Sequence, residues 1–457
     1  MISHPETLQT VEICYLCSGN KTYTMRHLLY LLPLYLLILC LSTGLQSCHD
    51  PEEPLAPDTV SRTVLLYVVA QNSLGANGFW RLDSTEIAAG APAIPEGGRL
   101  LAFVDKGGEA RLLEFTAKER QPRTLHSWGG DVCSTNPETL QEVVQLTAKL
   151  APALEYGLVM WSHADGWLPS TNRDYTRSIK GVGSFSFGID VGKDGSPATD
   201  TSADGHTLGA QMDIDDMATA ITNTGIHLRF IHFDACLMQS LETGYALREV
   251  TDYVVGCPIS ISPYGAYYTH QVEHGYFSND PADIARTYYE DVRDPALASH
   301  YDDYGIVCAA VRTEALPALA AAIREALPQS LLASTSSPDM TGVQPYHKYI
   351  QTYYYRPHCY DALAALQRLL PQESLPRVEQ ALAAAVPYHA ATERFWIGPG
   401  YYTFQSVDPV NTCGVSMFVP QQVYTDNAKS CIFGDLNEAF CHTAWYKAAG
   451  FDQVYPK

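Results

Sequence analysis

Two short segments carry the side chains best suited to covalent chemistry. One is Tyr156-Gly157-Leu158-Val159-Met160-Trp161 followed by Ser162-His163-Ala164-Asp165-Gly166-Trp167, an apolar run that turns polar at a histidine. The other is Arg229-Phe230-Ile231-His232-Phe233 followed by Asp234-Ala235-Cys236-Leu237-Met238, an apolar run that ends in an acid and a thiol. A thiol is a useful nucleophile near neutral pH only beside a base or a cation, and an imidazole supplies either. A helix starting just after Cys236 and running through residues 242–248 would lower its pKa further. Spacing alone leaves plainer readings open, Cys236 as a small core residue and His163 as a solvated loop side chain. A third pattern, His270-Gln271-Val272-Glu273-His274, matches the zinc motif H-x-x-E-H. That chemistry needs a regular helix, and the flanking Ser262-Pro263-Tyr264-Gly265 and Gly275 are poor for one, so a zinc hydrolase is the lesser reading. Asp190-Val191-Gly192-Lys193-Asp194-Gly195 resembles the start of a calcium loop, but Thr201 stands where the closing Glu belongs and a turn is expected. There is no G-x-S-x-G and no P-loop.

The elements that must position these groups are short and apolar. Residues 64–70, 100–104, 156–161 and 228–233 lack strict alternation, as strands buried on both faces do. Helical stretches lie between them: residues 139–154, entered through Asn136-Pro137-Glu138, and residues 213–221, which open with acids. Strands alternating with helices predict an α/β fold with a mainly parallel sheet covered on both faces, extended by residues 253–256 and 306–311. In such a sheet, sites form at the carboxyl ends of strands, so His163 and Cys236 would share one edge. Residues 316–332, 374–386 and 436–449 read as helices and 414–419 as a strand. The core is expected over 60–332, with 333–457 as a C-terminal α/β extension packed on it.

Composition narrows the classes. The chain has 457 residues, 46% of them hydrophobic and 17% charged, enough to bury an ordinary core. Fifty acidic against 29 basic residues give a net charge of −21. That excludes sequence-independent nucleic-acid binding and favours cationic ligands. Residues 28–41 form an uncharged apolar run of 14 residues after Met25-Arg26-His27, too short for a permanent span and suited to a secretory signal over 25–48. It is followed by Ser47-Cys48, which resembles a lipobox with Cys48 as the lipidated residue, although Gln46 departs from the small residue usual there. An acidic, Pro-rich tether follows over 49–59, and residues 1–24 read as an extension ahead of the true start. Export and a lipid anchor at the outer membrane or cell surface are the expected localisation. The eight cysteines beyond Cys48 show no disulfide framework.

The segments at 156–167 and 232–247 are similar to the two signature segments of the clostripain family of cysteine peptidases. Asn136-Pro137-Glu138-Thr139-Leu140 and the run at 411–420 resemble further family segments, so the likeness extends over about residues 60–451. The resemblance implies a caspase-like three-layer α/β/α sandwich and a Cys–His dyad. Cys236 would be the nucleophile and His163 the general base and acid, with the backbone amides of Ala164 and Cys236 as the oxyanion hole. Ala164 departs from the glycine usual there, and Gln71-Asn72-Ser73-Leu74 from a more acidic family segment. Asp234 matches the family acid that selects Arg or Lys, a carboxylate at the base of a narrow pocket being a good partner for guanidinium. Otherwise it would be a structural acid capping the helix after Cys236. Family members often mature by self-cleavage between the two segments, for which Arg177 and Lys180 are the candidates here. No cofactor is required, and calcium is a candidate activator. The expected partners are proteins or peptides with Arg or Lys at the cleaved position. An inactive homologue acting as a surface binding lipoprotein is the alternative, with the 29 tyrosines, clustered at 267–268 and 353–355, as its aromatic platforms.

Overall fold

The computed structural model describes residues 58–170, 186–192, 209–301, 303–328, 337–347, 357–397, 404–429 and 434–455. The signal segment, Cys48, Arg177, Lys180 and the tyrosines at 353–355 lie outside these residues.

The apolar runs form the centre of one large sheet. β1 (Val60–Val69) pairs in parallel with β2 (Gly98–Asp105). The hairpin β3 (Arg111–Thr116) and β4 (Glu119–Ser127) adds antiparallel strands beyond β2. On the other side of β1 lies β5 (Ala153–Trp161), again parallel. β6 (Phe187–Asp190) and β7 (Ala210–Met212) make a separate small ribbon. β8 (Phe230–Asp234) and β9 (Tyr253–Gly256) continue the parallel series from β5, and β10 (Val307–Arg312) runs antiparallel to β9. β11 (Pro345–His347) and β12 (Cys359–Asp361) pair away from the main sheet. β13 (Tyr388–Ala391) closes the main sheet beside β10, in the order β13-β10-β9-β8-β5-β1-β2-β3-β4. Beyond it come the hairpin β14 (Arg394–Trp396) with β15 (Phe404–Ser406), and β16 (Ser416–Met417), which pairs with β12.

The lack of alternation in β1 has the expected cause. Val64, Leu66 and Val68 enter one apolar cluster with helices Phe79–Gly90 and Ala282–Arg293. Leu65, Tyr67 and Val69 enter another with helices Pro137–Leu150 and Ile214–Thr224 on the opposite face. This is a three-layer α/β/α sandwich, as expected. A third cluster joins helices Leu316–Ala326, Ala362–Leu369 and Leu375–Ala385 to Trp445 and Phe451 from the end of the chain. Each Leu, Val or Ile buried in these layers contributes roughly 1.5–3 kcal/mol over its exposed state.

Several boundaries differ from expectation. The helix predicted to reach residue 154 stops at Leu150, because Ala153 already pairs with Val60. The stretch 436–449 is two helices, Leu436–Cys441 and Ala444–Ala448, the second capped by Thr443. Residues 268–275, read as poor helix, form a helical turn running into the π-helix Gln271–Gly275.

Candidate active site

Register decides what meets at the carboxyl edge of the sheet. Trp161 of β5 pairs with Asp234 of β8, so His163 and Cys236 each stand two residues past a matched pair. Both line one cavity of about 590 Å3, together with Asp234, Ser73, Ser162 and Ser260.

The histidine loop is held by backbone bonds. Gly188 N–H donates to the His163 carbonyl at 2.9 Å and Asp165 N–H to the Ser186 carbonyl at 3.1 Å, which bridges Ala164 to Phe187. Ala164 keeps a negative φ, the condition under which a residue with a Cβ presents its N–H as glycine would. His163 Nε2 lies 3.0 Å from Ser73 Oγ. Ser73 opens the helical turn Ser73–Ala76, whose N-terminal N–H groups, those of Leu74 and Gly75, donate to Asn72 Oδ1. Asn72 in turn donates to the carbonyls of Val69 and Ile189 and to Ser162 Oγ at 2.8–3.1 Å. A buried asparagine therefore fixes the position of the hydroxyl that touches the imidazole.

The expected helix immediately after Cys236 is not there. Leu237 takes φ +64°, its N–H donates to the Ile259 carbonyl at 3.0 Å, and Gln239 N–H donates to the Cys257 carbonyl at 3.2 Å. The helix starts only at Leu241, capped by Ser240 through the Thr243 N–H. Cys236 thus sits outside the first turn, beyond the reach of the helix field. It is half-buried, opening on the cavity, and Ile261 N–H donates to its sulfur at 3.4 Å. Desolvation by the cavity walls pushes the thiol up to about 12, and the nearby acids Asp165 and Asp234 add to the rise. The Ile261 N–H works the other way and lowers it, but desolvation outweighs this donor.

Asp234 does not cap a helix. Its carboxylate accepts the Tyr268 hydroxyl at 2.8 Å and the Ala266 N–H at 3.1 Å. The turn that supplies them passes so close that a Cβ on Gly265, at φ +65°, would stand 2.4 Å from Asp234 Oδ2. Burial raises the acid to about 6, against the lowering effect of these two donors. Beneath it lie Asp83, raised by burial and by Asp234, and Glu86, raised by burial to about 7 and accepting the Tyr268 N–H at 3.0 Å. The tyrosines at 267–268 are therefore not a free platform, since Tyr268 is fully buried beneath Asp234.

His270 and His274 have ring centroids 6.0 Å apart, and His270 Nδ1 pairs with Asp291 Oδ1 at 2.5 Å. Among the described residues no group of three or more His, Cys, Asp or Glu converges on a metal position. Asp190 accepts from the Ser134 N–H and hydroxyl at 2.7 and 2.9 Å and from the Gly192 N–H at 3.0 Å, the turn expected there, while residues 193–208 lie outside the described residues.

Sequence reasoning missed Ser73, Tyr268, and the aromatic residues Tyr304, Trp396 and Phe404 that complete the cavity. The capping signature Asn72-Ser73 after a strand was the one local signal for the first of them.

Comparison with known proteins supports both family and fold. The Peptidase C11, clostripain family, profile matches residues 199–375, the part that holds Cys236. A secreted C11 cysteine protease from Bacteroides thetaiotaomicron, solved with an irreversible peptide inhibitor, superposes with a TM-score of 0.67 at 24% identity, over 86% of this chain and all of that one. An inactive zymogen C11 protease from Parabacteroides distasonis superposes with a TM-score of 0.64 at 26% identity, over 86% of this chain and 99% of that one. No curated protein matches the chain. The chain is thus similar to clostripain-type cysteine peptidases over residues 199–375 and shares the caspase-like fold of these structures, the resemblance that the two signature segments led one to expect.

Proposed function

We propose that the chain is an exported cysteine endopeptidase that cuts after Arg or Lys. The observation that carries this reading is the meeting of Cys236, His163 and Asp234 in one cavity at the ends of β5 and β8. Burial disfavours the free thiolate, so His163 takes the Cys236 proton as sulfur bonds to the substrate carbonyl carbon. The oxyanion is received by the N–H groups of Ala164 and Cys236. His163 then returns the proton to the leaving amine as the C–N bond breaks, leaving a thioester. Water, deprotonated by the same imidazole, releases the acid and restores the thiol. Asp234 receives the guanidinium or ammonium of the residue before the cut.

Three further parts belong to the same reading. Cleavage at Arg177 or Lys180 matures the enzyme, in keeping with the zymogen described for the Parabacteroides relative. Cys48 carries the lipid anchor at the cell envelope. Calcium acts as an activator; the cycle itself uses only thiol, imidazole and water.

The test is hydrolysis of matched fluorogenic peptides ending in Arg, Lys, Asp or Leu, before and after limited tryptic nicking and with calcium present, beside Cys236→Ala. Turnover confined to Arg and Lys and abolished by the substitution is the expected result. No turnover of any peptide would move the assignment to a binding protein, and turnover surviving Cys236→Ala would remove the cysteine mechanism.

A further inference from the structure

The cavity holding Cys236 reaches beyond the two signature segments. Tyr304, Trp396 and Phe404 also line it. Trp396 closes β14 and Phe404 opens β15, and the two face each other in the hairpin register. Each of the three rings has a packing partner. The Tyr304 and Trp396 ring centroids are 4.5 Å apart, and Trp396 N–H donates to the Tyr304 carbonyl at 2.8 Å. The Arg394 guanidinium lies 4.5 Å from the Phe404 ring centre and is anchored by Asp303 at 2.5 Å. The hairpin docks against the turn before β10 so tightly that a Cβ on Gly305, at φ +69°, would stand 2.1 Å from the Arg394 carbonyl oxygen.

This bracing presents aromatic surface to the cavity in a fixed arrangement. Phe404 keeps 37% of its surface exposed, unusual for a phenylalanine, and Trp396 and Tyr304 are half-buried. Aromatic faces gain by burying apolar area and by ring pairing. A second cation is a poor occupant, because Arg394 already holds the Phe404 ring and adds its own positive charge. Resting on the peptidase reading, we infer that this wall is a substrate subsite for a bulky apolar side chain, aromatic or large aliphatic, flanking the basic residue held by Asp234. The cavity then reads two features of a peptide, a cation at its acid end and an apolar side chain at its aromatic end. Two of the three rings of the second reader, Trp396 and Phe404, come from the C-terminal part of the chain.

The test separates binding from turnover by using the full chain with Cys236→Ala, after limited tryptic nicking as well as before it, and fluorescently labelled peptides. One peptide has Phe directly before Arg, one has Phe directly after it, and one has Gly at both places. One of the Phe peptides should bind about tenfold or more tightly than the Gly peptide, the discrimination a hydrophobic pocket ordinarily gives. Phe404→Ala, and independently Trp396→Leu, should bring that ratio close to one. Equal binding of all three peptides, no binding of any, or a preference that survives both substitutions overturns the subsite. The unsubstituted chain, assayed on the same peptides, keeps the two readings apart. Preferential binding without hydrolysis removes the peptidase and leaves the subsite, whereas equal hydrolysis of all three removes the subsite and leaves the peptidase.

Discussion

At Cys236 burial opposes ionisation, and in the proposed mechanism His163 supplies what burial withholds. Orientation of the imidazole then matters. A hydrogen bond between Ser73 Oγ and Nε2 restrains the orientation of the ring. Ser73→Ala should lower kcat on an Arg peptide about 2- to 10-fold, the equivalent of one hydrogen bond, with little change in KM. Ser73→Thr should restore it. An alanine variant with wild-type kcat would show that the hydroxyl plays no part. Asp234 makes a second prediction. Burial raises it to about 6, so its charge is lost as pH falls through that value, and KM for Arg peptides should rise below pH 6. Tyr268→Phe removes a donor that favours the charged form, so the rise in KM should begin at higher pH. Steady-state kinetics from pH 5 to 8 measure both, and Asp234→Asn should give a high and pH-independent KM.

Two strands and one turn make these residues a site. The parallel pairing of β5 with β8 brings His163 and Cys236 to the same edge of the sheet and into one cavity, and the turn containing Gly265 sets Tyr268 and Ala266 against the Asp234 carboxylate. Gly265→Ala would force a Cβ toward the carboxylate at a left-handed φ. It should lower the melting temperature by several degrees and shrink the preference for Arg over Leu peptides; an unchanged preference would mean the turn does not shape the pocket. At this scale the sequence was partly legible. β1, β2, β5 and β8 were evident as apolar runs because both of their faces are buried. The hairpin β3–β4 was not, because β4 is largely exposed and carries no apolar pattern. The helix expected at Cys236 was misplaced for a related reason. Residues 237–239 satisfy their backbone through residues 257 and 259, partners that local sequence does not reveal.

Pro57–Lys457 forms one compact unit, and its last third is tied into the site. β13 pairs with β10, Ser416 N–H donates to the Gln239 carbonyl at 2.9 Å, and Phe418 N–H donates to the buried Glu242 carboxylate at 2.8 Å. A chain ending at residue 332 would leave β10 as an open edge, Glu242 without this donor and the third apolar cluster exposed. Each buried polar group so orphaned costs about 1–3 kcal/mol. That chain is expected to lack a cooperative thermal transition by circular dichroism; a sharp transition near that of the full chain would show that the first part folds alone.

The sequence by itself determined the parallel core, the cysteine and histidine at its strand ends and the acid two residues before the cysteine. Each of these is written in a contiguous run of residue types. Tertiary structure alone decided that Ser73 reaches His163 across 90 positions, that Tyr268 supports Asp234 rather than facing solvent, and that a late hairpin supplies the aromatic wall. Those contacts join distant parts of the chain through single side chains, and a single side chain carries no periodicity from which its partner could be read.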